Sequence, residues 1–310
     1  MKGRQDFLSG EEISRQLEIS RQSLWKHIQD LKGKGYEIEA VPHLGYRLVS
    51  SPDRLYPEEL ACGLGTKAIG RTICHYERVA STMDTAMELG AGGCPEGTAV
   101  VAEAQTAGRG RLGRTWSSPK YKGIYCSFIL RPDILPAQAP VLALLTAVAV
   151  CEAVENVTGI RPGIKWPNDL LLGGGKLGGI LTELRAELDR AVYCVVGIGI
   201  NVNNGSDELV EGAVSLREAR GETIDRAALL RAVFTRVEAN YFVFLKKGSG
   251  PVLDEWRRRS VTLGSRVRVE SKGQRAEGVA IDIDVDGGLM VRGDSGIARK
   301  FTAGDVTHIR

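Results

Sequence analysis

The chain predicts an α+β protein in three parts: two short helices and a hairpin over residues 1–50, a mixed or antiparallel sheet with helices over 51–260, and a small all-β unit over 261–310. Three observations carry this. A capped helix–turn–helix pattern opens the chain, two long apolar strands meet at Gly173-Gly174-Gly175, and from Val261 onward short alternating strands are broken by Gly and Asp. A strand–glycine turn–strand order makes a hairpin, which excludes a doubly wound parallel sheet.

In the first part, Ser9-Gly10-Glu11-Glu12 is a capping box opening a helix with Ile13 and Leu17 on one face. After Glu18-Ile19, Ser20 caps a second helix whose Leu24, Ile28 and Leu31 share a side, while Arg21, Gln22, Ser23 and Lys26 occupy its polar N-terminal half. Strands Tyr36–Val41 and Tyr46–Val49 then flank the turn Pro42-His43-Leu44-Gly45. Helix, turn, helix, hairpin is the winged helix-turn-helix order, in which the second helix enters the DNA major groove. Arg21, Gln22, Ser23 and Lys26 are therefore the candidate DNA contacts. Met1–Leu8 is too short and polar to supply the usual preceding helix, so either the true start lies upstream or the first helix is truncated. Eight Lys/Arg against seven Asp/Glu in residues 1–50 leave only about +1, so binding should rest on a few contacts.

Past the linker Ser51-Pro52-Asp53, strands are predicted near 98–105, 124–130, 163–172, 176–185 and 191–201, and helices near 83–89, 139–157 and 227–245. The last part reads as strands at 266–269, 276–282, 289–291 and 306–309, an SH3-like β-barrel.

A net charge of +3 over 310 residues excludes bulk polybasic nucleic-acid binding. Six scattered cysteines without a C-x-x-C pair predict free thiols in a reducing compartment. Four dispersed histidines offer no metal site. The N-terminus begins no apolar signal, and the apolar run near Val141–Val154 contains Glu152 and is too short for a bilayer, so a cytoplasmic protein without a membrane span is expected.

The densest chemistry lies in Gly108-Arg109-Gly110-Arg111-Leu112-Gly113-Arg114-Thr115-Trp116. Residues 106–124 hold five basic side chains and no acidic one. Neighbouring guanidiniums repel unless an anion lies between them, and their planar forks suit carboxylate and phosphate oxygens. The string satisfies G-x-G-x-x-G, but no helix starts after it, so it is not a dinucleotide fingerprint. A second segment, Lys165-Trp166-Pro167-Asn168-Asp169 followed by Gly173–Ile180, mimics a Walker A, yet Leu177 stands where Ser or Thr must hold magnesium. Lys176 beside a glycine-lined space can instead stabilise a developing oxyanion. Gly197-Ile198-Gly199-Ile200 suggests close approach of a ligand to backbone.

GRGR-x-GR-x-W, KWPND, GGKLGGIL and GIGIN, in this order behind a winged helix, resemble the bacterial biotin protein ligases that double as biotin-operon repressors. The resemblance covers nearly the whole chain and implies a central domain of the biotin/lipoate ligase type. It implies that biotin and ATP give biotinyl-5′-adenylate, and that the biotinyl group then passes to a lysine of the biotin carboxyl carrier protein of acetyl-CoA carboxylase. It assigns biotin contacts to Ser81, Thr82, Met83, Gln105, Arg109, Gly110, Arg111 and Lys176, with Met83, where the family commonly has Asn, acting through backbone atoms. It assigns the nucleotide to Arg114, Trp116, Lys165, Asn168, Asp169 and Asn201, with Trp116 closing over adenine. Lys176 and Arg111 are the implied catalytic residues, and Mg²⁺ accompanies ATP with no ligands assigned. Operator DNA and a homodimer of the adenylate-bound form are the further partners implied. Two alternatives stand: a lipoate-type ligase or acyltransferase, and a ligand-sensing transcription factor without catalysis.

Overall fold

The computed structural model describes residues 6–187, 190–271 and 274–309, so the segment Met1–Gln5 lies outside the described residues. Two compact units divide at Asp53.

In the first unit, Ser9 caps α1 (Gly10–Gln16) by accepting from Glu12 N, and Ser20 caps α2 (Arg21–Gly33) by accepting from Ser23 N. Leu24 and Ile28 of α2 are buried with Ile13 of α1. Strands β1 (Glu37–Val41) and β2 (Gly45–Ser50) form the antiparallel wing. No helix precedes α1 among the described residues. Leu8 instead exchanges two backbone hydrogen bonds of 2.9 Å with Tyr46, adding a bridge to the wing.

The second unit begins with α3 (Pro57–Ala61), β3 (Ile73–Tyr76), α4 (Thr82–Ala91), β4 (Ala99–Ala102), β5 (Ile124–Leu130) and α5 (Ala139–Thr158). It continues with β6 (Gly163–Lys165), β7 (Asp169–Leu172), β8 (Gly175–Glu187), β9 (Arg190–Ile200), α6 (Leu216–Arg220), α7 (Arg226–Lys247) and α8 (Gly250–Arg259). Its seven-stranded sheet runs β3-β4-β5-β9-β8-β7-β6, with only β3 and β4 parallel. Every residue of β5 is buried, as a continuous apolar run at the sheet centre requires. Helix α5 extends past the apolar run at 141–154 expected to be too short for a bilayer, and it is long and apolar enough to cross a membrane; most of it is instead buried as a core helix under the sheet.

The chain closes with β10 (Arg266–Ser271), β11 (Gln274–Ile283), β12 (Leu289–Arg292), β13 (Ala298–Phe301) and β14 (Asp305–His308), an antiparallel sheet ordered β13-β12-β11-β10-β14. Val267, Val269, Leu289 and Val291 of this SH3-like part join the same core as α5 and α7.

Two expectations need correction. The single strand expected over 163–172 is the hairpin β6–β7, because Trp166 turns inward. Its backbone N–H donates to Thr262 Oγ1 (2.9 Å), its indole N–H donates to the Gly287 carbonyl (3.0 Å), and the peptide to Pro167 is cis. The strand expected to reach Gln105 stops at Ala102, since the Glu103 side chain is drawn into a buried cluster where it accepts from Leu55 N and Arg226. Elements β3, α3, α6, α8 and β13 were not anticipated.

Candidate active site

At the N-terminus of α4, Ser81 accepts from Asp84 N as a helix cap, is almost fully buried, and lies outside the cavity that the arginine loop borders. Thr82 does face it. Its N–H (2.9 Å) and hydroxyl (3.2 Å) both meet Gln105 Oε1, and its hydroxyl lies 2.8 Å from Ser127 Oγ. Gln105 Nε2 donates onward to Ser118 Oγ. This polar knot, with Met83 and Gly197 beside it, ends a cavity of about 250 Å³ whose walls also carry Arg109, Gly110, Arg111, Arg114, Trp116, Lys165, Asn168, Asp169 and Lys176. Of the predicted catalytic and ligand contacts, only Ser81 and Asn201 fall outside it.

The arginine loop is closed on itself. Gly108 O accepts from Trp116 N (2.8 Å), Gly110 N donates to Arg114 O (2.7 Å), and a 3₁₀ turn at Arg111–Gly113 forms the tip. Gly108 is needed for this closure, since a Cβ there would lie 2.5 Å from the Trp116 carbonyl.

The cations do not wait unpaired for substrate. Arg109 pairs with Asp84 (2.7 Å) and Glu183 (2.9 Å), Arg114 pairs with Asp305, and Lys176 Nζ lies 2.6 Å from Asp169. Mutual guanidinium repulsion is thus relieved by carboxylates of the protein. Arg111 differs. Among the described residues it has no carboxylate at ion-pair distance, and it donates to two neutral oxygens, Asn168 Oδ1 (3.2 Å) and Gly304 O (3.3 Å). Burial pulls its pKa below the usual arginine value, while Asp305 and Asp169 pull the other way. An incompletely solvated, always-charged fork at a cavity wall is poised for an anion.

Asn168 is fixed from its other end by donating to Ile180 O (2.6 Å). Trp116 packs on the strand backbone, where a Cβ on Gly199 would sit 2.6 Å from the indole, and a Cβ on Gly197 would meet Met83 Sδ at 2.5 Å. The β9 glycines therefore admit protein side chains, where a ligand was expected. The indole N–H of Trp116 is buried without a partner among the described residues. Trp116 and Lys176 also line a second cavity of about 540 Å³ with Asn201, Asn204 and Glu208. Asn201 follows the last residue of β9 and donates to the carbonyls of Lys176 and Val214, each at 3.3 Å.

Sequence reasoning missed Ser127, Asp305 and Thr307. Ser127 carried a signal, a hydroxyl inside the apolar run of β5, whereas Asp305 and Thr307 arrive from β14 with no local signal.

On α2, Arg21 forms an exposed ion pair with Glu11 (3.0 Å), Gln22 and Lys26 are exposed, and Ser23 is half-buried at the cap.

The chain matches the biotin/lipoate A/B protein ligase family over residues 76–201, a helix-turn-helix domain over 1–47 and the biotin protein ligase C-terminal domain over 262–308. It is 42% identical to the bifunctional ligase/repressor BirA of Bacillus spizizenii, covering 96% of this chain and 93% of that protein. The chain belongs to the biotin protein ligase family. As a biotin protein ligase it is also 36% identical to the biotin--[acetyl-CoA-carboxylase] ligase of Mycobacterium tuberculosis, over 69% of this chain and 80% of that one. The biotin protein ligase of Aquifex aeolicus, solved in complex with biotin and ATP, superposes with a TM-score of 0.67 at 31% identity, covering 77% of this chain and 99% of its own. The alignment with the bifunctional relative, over 96% of this chain, takes in most of the helix-turn-helix unit as well.

Proposed function

We propose that this chain joins biotin to ATP, releasing pyrophosphate, passes the biotinyl group from the resulting adenylate to a carrier-protein lysine, and represses transcription in response to biotin. The observation that carries the catalytic reading is Arg111, a half-buried cation with no carboxylate at ion-pair distance among the described residues, on one cavity with Lys165 and Lys176. The biotin carboxylate oxygen attacks the α-phosphorus, the bond to the β-phosphate oxygen breaks, and pyrophosphate leaves with the electron pair. Carboxylate and phosphate repel, so a cation between them lowers the cost of approach and steadies the transition state. A carrier lysine amine then attacks the acyl carbon, AMP leaves, and the amine proton is lost.

In this reading Thr82 and Gln105 receive the polar ring of biotin, with Ser81 holding the helix start and Met83 closing that end. Arg109 and Gly110 border the tail, and Trp116, Arg114, Asn168, Asp169 and Lys165 meet the nucleotide. Asn201 shapes the neighbouring cavity. Magnesium would travel with the phosphates, and the wall carboxylates that would offer it oxygen are Asp169 and Asp305, held by Lys176 and Arg114 in the free protein.

The acceptor is proposed to be the biotin carboxyl carrier protein of acetyl-CoA carboxylase, in keeping with the mycobacterial relative's name. Operator binding is proposed to require a homodimer of the adenylate-bound form, because one winged helix reads only a half-site. A cytoplasmic location accords with the six free cysteines. Incubating the protein with ATP, biotin and the isolated carrier domain should give a biotinylated lysine, located by peptide mass analysis; an unmodified carrier would refute transfer. Sedimentation with and without biotin and ATP should show dimer only with both, and a monomer in both conditions would refute the switch.

A further inference from the structure

Helix α2 fills its inner side with Leu24 and Ile28, yet it also carries Trp25, 57% exposed. The chain has four tryptophans, and Trp166 (1%) and Trp256 (0%) are buried as such a side chain ordinarily is. Trp25 therefore leaves more than half of its surface outside the interior of its own unit. Its neighbours across the outer surface are Gln22, Lys26 and Gln29, all exposed. At 3.6 residues per turn these four side chains span an arc of about 100° opposite the buried side. The nearby Arg21 points its charge at Glu11 of α1 and is partly committed within the unit.

We infer that Trp25 is a specificity-determining residue for DNA, reading thymine through its C5-methyl group, with Gln22 and Gln29 reading adjacent adenines. This rests on the repressor reading above. The chemistry of the face selects the occupant. Glutamine amides match the N6/N7 edge of adenine, an apolar ring matches the thymine methyl in the major groove, and Lys26 at the margin suits a phosphate. An indole alone on a charged face would be a poor phosphate contact; between two glutamines it completes an A·T-reading surface. The half-site bound by this chain therefore contains consecutive A·T pairs.

The test uses the full-length protein with biotin and ATP to select bound duplexes from a random pool. The enriched half-site is then resynthesised with uracil in place of each thymine in turn, which removes one methyl group and nothing else. At one or two positions the wild-type protein should bind about fourfold more weakly, the factor expected for one buried methyl. Trp25→Ala should bind the thymine and uracil duplexes equally. Because the substitution in the DNA is read on wild-type protein, the outcome does not depend on how well Trp25→Ala folds. Uracil duplexes bound as tightly as thymine at every position would overturn the role of Trp25 while leaving repression intact. A pool with no enriched sequence would overturn both.

Discussion

Replacing Arg111 by Ala separates chemistry from folding more cleanly than any other change in the cavity. Its hydrogen bonds in the free protein are long ones, at 3.2 and 3.3 Å, to neutral oxygens of Asn168 and Gly304. Asn168 keeps its bond to Ile180 O when the guanidinium is gone, and the two lost bonds are long, so the fold should lose about 1–3 kcal/mol. In the transition state the same fork would hold two oxyanions, and charge-assisted hydrogen bonds are worth about 1.5–3 kcal/mol each. Two of them amount to about 3–6 kcal/mol, or roughly 10²–10⁴-fold in the rate of adenylate formation. The assay is the initial rate of biotin-dependent pyrophosphate exchange, with Tm measured on the same preparation. A rate within fivefold of wild type would refute the assignment, as would a lost rate accompanied by a collapse in Tm. Arg114→Ala is the contrast: that side chain is exposed and already paired with Asp305, so its loss should cost less than about tenfold.

Lys176→Ala should lower adenylate formation by about 10²–10³-fold, as expected for a group that stabilises developing charge, and an unchanged single-turnover rate would remove it from the mechanism. Gly199→Ala places a methyl 2.6 Å from the Trp116 indole; overpacking of about 1–3 kcal/mol should displace the ring and raise KM for ATP more than KM for biotin, and equal effects would argue against a nucleotide role for Trp116. Glu103 and Arg226 form a fully buried ion pair at 2.9 Å, so Glu103→Gln should cost about 3–5 kcal/mol at neutral pH, read by denaturant melts. Burial alone would raise the Glu103 carboxyl, but His75 at 3.8 Å, Arg226 and the Leu55 N–H together hold it below the ordinary value. Its stabilisation is therefore present above the unfolded pKa of about 4.3 and lost as pH falls through the lower folded value. The wild-type acid limb should steepen there, and a limb identical to that of Glu103→Gln would contradict the pairing.

What the sequence makes legible is what local pattern controls. The span of β5 and the core of α5 follow from uninterrupted apolar runs, and the β7–β8 turn follows from three consecutive glycines. The arginine loop was legible as an excess of charge, because the five cations of residues 106–124 have no acidic side chain within their own segment. Its resting state was not, since the carboxylates that hold it come from Asp84, Glu183 and Asp305, in α4, β8 and β14. The β6–β7 turn escaped for the same reason: Trp166 is oriented by Thr262 and Gly287, about a hundred residues away. Trp25 was hidden in plain view, because a lone aromatic among polar helix residues signals nothing until the helix is seen to bury its other side.

The central claim is that the cavity between Thr82 and Lys165 activates biotin, and exchange of labelled pyrophosphate into ATP tests it most directly. Wild-type protein should catalyse exchange with biotin and remain silent with lipoate, octanoate or no acid. Exchange that requires lipoate or octanoate and ignores biotin would contradict it, as would no exchange with any of them.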